Sequence, residues 1–167
     1  MAQEKARDLL VVGLRNAHAM EIQARELMER QSERLDGFPA IRSQIRQHLG
    51  ETNAQIGRLE KCLDGLGESA STVKDTAMSF AANMAALGHA VASDEVLKNT
   101  FANNAFEHYE IAAYKSLLTL AGRAGASAAT DELKHSLADE ERMAKWIDDN
   151  IGDVTLSYLA QEEREAA

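Results

Sequence analysis

A single proline, Pro39, stands among the 167 residues of this chain. Proline removes a backbone donor and clashes with the preceding turn, so a chain nearly free of it can build long uninterrupted helices. Helix formers fill the intervals, above all Ala, Leu, Glu, Lys, Arg and Gln. No period-two alternation of the kind that marks strands occurs, and there is no short repeat. An all-α protein is predicted. The length suits one domain, 1–167, with a substantial core.

Apolar periodicity and breakers divide the chain into helix A over about 3–35, helix B over about 39–66, helix C from Ser93 or Asp94 to about 121, and helix D over about 128–151. Gly37 in "LDGFP" suits the end of helix A, and Pro39 suits the first turn of helix B. Residues 70–91, rich in Ala and Met, form a connecting segment with a helix of its own, and "DVTLSYLAQEEREAA" adds a short last helix. The A–B and C–D links are short, so each pair is an antiparallel hairpin. The B–C link is long, about 28 residues, which is the connectivity of ferritin-like four-helix bundles rather than of an up-down-up-down bundle.

Net charge and cysteine content exclude several classes of function. A net charge of −9 lacks the basic footprint of general nucleic-acid binding and disfavours an anionic membrane surface. Cys62 is the only cysteine, so no internal disulfide forms. The opening "MAQEKARDLL" does not read as a secretory signal, and no apolar run is long enough to span a bilayer. A cytosolic protein is expected.

The candidate chemistry lies in glutamates on apolar stripes. Helix A carries Leu10, Leu14, Ala17, Ala24, Met28 and Leu35 on one face, with Glu21 in the middle. Helix C carries Val96, Thr100, Asn103, Tyr114, Leu117, Leu118 and Ala121, with Glu107 central and Glu110 one turn on. Helix D carries Leu133, Leu137, Met143, Ala144, Ile147 and Ile151 around Glu140, and Glu141 falls about a quarter-turn away. Helix B shows Ile41, Ile45, Leu49, Thr52, Ile56, Leu59 and Leu63; Glu51 and Gln55 lie on its edge and His48 further out. A lone glutamate on such a stripe is ordinarily paired with a base or placed at the rim. Acids meeting at one level of a bundle, with no Lys or Arg on the inner stripe near Glu21 or Glu107, need cations instead. Hard carboxylate oxygens suit iron, manganese or another divalent metal. Glu107 is then expected to bridge two ions and Glu110 to bind one. Tyr114 is read as a packed core tyrosine with a satisfied hydroxyl.

"RNAHAMEIQARELM", "HLGETNAQIGRLE", "EHYEIAAY" and "LADEERMAKWI", on helices A to D, together resemble the YciE/YciF-like family of ferritin-like proteins over nearly the whole chain. The resemblance implies a bundle with an extra helix, a homodimer, a carboxylate di-metal site and a link to bacterial stress responses. Its ligands, carried over by position, are Glu21, Glu51, Glu107, Glu110 and Glu140. Ferritin-like oxidases usually place a histidine after the helix B and helix D glutamates. Here Ala54 or Gln55 and Met143 or Ala144 stand there, and Ala144 replaces an aspartate common in close relatives. The second metal position is therefore expected to be the weaker. His18 and His48, each three residues before a candidate glutamate, are read as rim residues.

Two functions follow as expectations. One is a metal-dependent oxidoreductase acting on peroxide or oxygen. The other is a non-enzymatic stress or interaction protein whose metal site is partial or vestigial. The apolar crossover, with Met78, Phe80, Met84 and Leu87, and Trp146 off the inner stripe of helix D favour a homodimer.

Overall fold

A computed structural model describes residues 1–70 and 95–167. Four helices make up the described fold: α1 (Ala2–Ser32), α2 (Pro39–Gly65), α3 (Glu95–Ala124) and α4 (Ser127–Glu165). The predicted connecting helix, the Ser93 or Asp94 cap, and the apolar residues Met78, Phe80, Met84 and Leu87 lie outside the described residues. Among the described residues, no helix is long and apolar enough to cross a membrane.

Burial repeats at alternating spacings of three and four in each helix. In α1 it runs through Leu10, Leu14, Ala17, Glu21, Ala24, Met28 and Gln31; in α3 through Thr100, Asn103, Glu107, Glu110, Tyr114, Leu117 and Ala121. In α4 it runs through Ala129, Leu133, Ser136, Glu140, Met143 and Ile147. This is the seam of helices that pack at a shallow crossing angle, ridges of one in the grooves of the next. α1 packs on α2 and α3, and α4 packs on the same two.

Cross-helix bonds fix the directions. Arg7 near the start of α1 donates to the carbonyl of Leu66 just past α2, and Gln3 donates to that of Ala124 at the end of α3. At the far end, Gln31 and Asn103 exchange two amide hydrogen bonds of 3.2 and 2.9 Å. Helices α2 and α3 are thus both antiparallel to α1. The end of α2 and the start of α3 therefore lie at opposite ends of the bundle. That topology is ferritin-like.

The turns differ from the sequence reading in two places. Helix α1 stops at Ser32, before the predicted end, and Gly37 does not take the left-handed conformation. That conformation belongs to Gly67 and Gly125, each at φ 72°. After α2, Gly67 N–H donates to Asp64 O and Glu68 N–H to Leu63 O. After α3, Gly125 N–H and Ala126 N–H donate to Gly122 O and Ala121 O in the same pattern. Both glycines thus close Schellman caps, where a Cβ would be strained. The second difference is the tail, which continues α4 instead of forming a separate helix. Val154 is buried and Tyr158 packs on the core, so the apolar face runs past Gly152.

Candidate metal centre

Three helices deliver the buried acids. Glu21 comes from α1, Glu107 and Glu110 from α3, and Glu140 from α4, none more than 3% exposed. Each takes a position of the three–four seam that would otherwise hold an apolar residue. The fourth helix delivers an imidazole. His48 is 1% exposed, and its Nε2 lies 3.3 Å from Glu107 Oε2 and 3.3 Å from Glu140 Oε2. Neither oxygen is aligned to accept a hydrogen bond from it, so both remain unsatisfied, as does Glu110 Oε1. One ligand atom from each of His48, Glu107, Glu110 and Glu140 lies within 4.8 Å of the other three.

Neutral groups complete the surroundings. Gln55 Nε2 donates to Glu140 Oε1, and its own Oε1 is buried without a partner. Tyr114, fully buried, donates from its hydroxyl to Glu21 Oε1 at 2.5 Å, while Glu21 Oε2 has no partner. The Tyr114 hydroxyl is satisfied as the sequence reading expected, and its acceptor is a candidate ligand.

Electrostatics follow from this crowding. Burial pushes the Glu107 carboxyl up to about 8, partly offset by His48. Burial and the neighbouring acids raise Glu21 and Glu110 well above the carboxylate range. Burial lowers His48, but the carboxylates of Glu107, Glu140 and Glu51 packed around it outweigh that and hold the imidazole well above its ordinary value. With no metal ion bound, Glu107 would keep its proton at neutral pH.

The donor set fits a divalent metal ion. Unsatisfied, fully buried carboxylate oxygens are rare in folded proteins. Here Glu21, Glu107, Glu110 and Glu140 each have one. Among the described residues, no Lys or Arg is buried to neutralise them. Carboxylates with one imidazole form a hard, mixed oxygen–nitrogen set suited to a divalent metal.

The five sequence-derived candidates divide three ways. Glu107, Glu110 and Glu140 converge. Glu21 is buried beside them but outside the 4.8 Å group. Glu51 faces away: its side chain is 19% exposed, it receives His48 Nδ1 at 3.0 Å, and Arg142 donates to it at 3.1 Å. The hydrogen bond from His48 holds the Glu51 carboxyl down at about 2. The rim reading of His48 is corrected, since its imidazole is the buried centre of the group. His18 is buried as well, at 8% exposed, but it turns to Glu60, 3.0 Å away, and not to the acids. Sequence reasoning also passed over Asp139, which is buried and bonded to Arg58 at 2.6 Å and to Arg142. The missed signal on α2 was the series Ile41, Ile45, His48, Thr52, Gln55, Leu59 and Cys62, all buried at the same three–four spacing.

A ferritin-like bundle with a carboxylate–histidine cluster between its helices is the class that this fold and site define. The chain matches the family described as "Domain of unknown function (DUF892)" over residues 5–160, and it belongs to that family. Solved structures agree, and the resemblance to YciE/YciF-like proteins stands. A protein from Xanthomonas campestris pv. campestris has a TM-score of 0.80 at 29% identity, covering 95% of this chain and 99% of its own. The E. coli stress protein YciF gives 0.77 at 22% identity, covering 90% and 96%. YcfI of Rhodopseudomonas palustris gives 0.69 at 24% identity, covering 86% and 92%.

Proposed function

We propose that this protein binds iron or manganese in the core of its bundle. The observation that supports this most strongly is the group of unsatisfied buried acid oxygens around His48, with no buried Lys or Arg among the described residues. Glu107, Glu110, Glu140 and His48 Nε2 would hold a first ion. Glu21, oriented by Tyr114, is the acid left for a second. Ala144 adds no donor there, and Met143 Sδ instead accepts from Gln44 at 3.5 Å, so the second position is the weaker. When bound, such an ion supplies Lewis acidity and, with peroxide or oxygen, electron-transfer chemistry. The protein's own part is to hold the acids in a site from which water is excluded and to release their protons to solvent as the ion binds.

A second reading is favoured by α2, whose buried face offers Thr52 and Gln55 where further charged ligands would strengthen the site. In that reading the protein is a non-enzymatic stress or interaction protein with a partial site. A homodimer and a cytosolic stress role belong to both readings; the description of YciF as a stress protein supports the latter. Sedimentation at micromolar concentration checks the dimer, and a monomer would refute it.

Metal analysis of protein purified without chelators or a histidine tag tests the proposal. At least one iron or manganese per chain is expected. Metal-free protein that shows no thermal shift with either ion would refute it. Anaerobic ferrous loading followed by oxygen or peroxide then separates the readings. An absorbance transient marks the oxidoreductase, and its absence marks the non-enzymatic protein.

A further inference from the structure

We infer that Glu51 is a positioning residue for His48 and not a metal ligand, held in that role by Arg142 and Asp139. The inference rests on the metal-binding reading above and concerns how α2 takes part in it. Glu51 Oε2 lies 3.0 Å from His48 Nδ1, on the ring edge opposite the buried acids. Its other oxygen accepts from Arg142 at 3.1 Å. The same guanidinium nitrogen bonds Asp139 Oδ1, and Asp139 Oδ2 accepts from Arg58 at 2.6 Å. Both oxygens of each carboxylate are therefore engaged, in contrast to the orphaned oxygens of Glu107, Glu110 and Glu140.

An imidazole can present a lone pair at only one nitrogen at a time. A carboxylate accepting from Nδ1–H keeps the proton there, leaves Nε2 free to coordinate, and fixes the plane of the ring. Glu51 alone would be a poor anchor, because a part-exposed side chain changes rotamer readily. Arg142 and Asp139 remove that freedom. Asp139 is the residue before the candidate ligand Glu140 on α4, so the network also ties the ring orientation on α2 to the helix that supplies the facing acid.

The test uses full-length protein and manganous ion alone. Free ion is read from its electron paramagnetic resonance signal, and nitrogen coordination from spin-echo modulation. Glu51→Ala is expected to weaken binding about 10- to 100-fold while keeping the nitrogen coupling. Glu51→Gln keeps an acceptor for Nδ1–H and is expected to recover most of the affinity. Arg142→Ala is expected to fall between wild type and Glu51→Ala. If Glu51 were a ligand, Glu51→Gln would lose as much as Glu51→Ala and one more water would coordinate. That result, or unchanged affinity in Glu51→Ala, overturns the inference while the metal reading survives. Wild-type protein that binds no manganous ion overturns both. Circular dichroism of the isosteric Glu51→Gln confirms that folding is not the cause of any loss.

Discussion

Two helices of this bundle carry the same short motif and use it in opposite ways. On α1 the pair is His18 and Glu21; on α2 it is His48 and Glu51. In α1 the glutamate is fully buried among the acids, and the histidine, though also buried, turns away to the exposed Glu60. In α2 the histidine is buried and the glutamate faces outward to Arg142. Residues three apart differ by only about 60° around a helix, so a small rotation decides which of the two enters the core. The seam sets that rotation. Leu14, Ala17, Ala24 and Met28 place Glu21 in the three–four series of α1, whereas Ile41, Ile45, Leu59 and Cys62 place His48 in that of α2. Spacing between polar residues therefore does not identify a ligand; register against the buried series does.

The largest expected effect removes the inward partner on α2. His48→Ala is expected to weaken manganous binding by more than ~100-fold, since it deletes the nitrogen donor itself rather than its support. His18→Ala should leave the affinity nearly unchanged, since His18 pairs with Glu60 and not with the buried acids. Similar losses for the two variants would break the comparison.

Next comes an acid facing His48. The folded-state Glu107 carboxyl sits at about 8, against 4.5 for an ordinary glutamate. Between those values the folded chain holds a proton that the unfolded chain has lost. The contribution of Glu107 is thus complete below pH 4.5 and is lost as pH rises toward 8. Glu51, held at about 2, works the other way: its contribution is present above 4.5 and is lost as pH falls toward 2. Glu107→Gln should flatten the decline of metal-free stability above pH 4.5 and leave the Glu51 window in place. Urea unfolding of both proteins across this range checks it, and an unchanged slope would contradict the burial of an uncompensated acid.

A smaller effect is expected on α1. Tyr114→Phe removes the one hydrogen bond that Glu21 receives and should cost ~1–3 kcal/mol in the metal-free protein. Metal binding at the His48 group should weaken much less than in His48→Ala. Equal losses of affinity would mean that Glu21 belongs to the same ion.

Most of the fold was legible in the sequence because helix formers, one proline and the spacing of apolar residues all agree. Glu21, Glu107, Glu110 and Glu140 stood out because a charge interrupts an otherwise apolar series. His48 did not, for a physical reason. Polar His48 and Gln55 occupy inward positions of α2, while Leu49 and Ile56 flank them. The apolar residues thus drew the stripe one position away from the true seam and pushed His48 outward. Counting burial at alternating three and four spacings, polar residues included, would have recovered it. The continuation of α4 was hidden by Gly152, whose low helix propensity is overridden by the burial of Val154.

Calorimetric titration of metal-free protein with manganous ion at pH 7, in two buffers of different ionisation enthalpy, counts the protons released as the ion binds. Burial pushes the Glu107 carboxyl up to about 8, so an ion that binds it at pH 7 must displace a proton. The expected result is tight binding with at least one proton released per ion, both abolished in His48→Ala. Binding without proton release would place the ion on ordinary surface carboxylates, and would contradict a buried metal centre at His48.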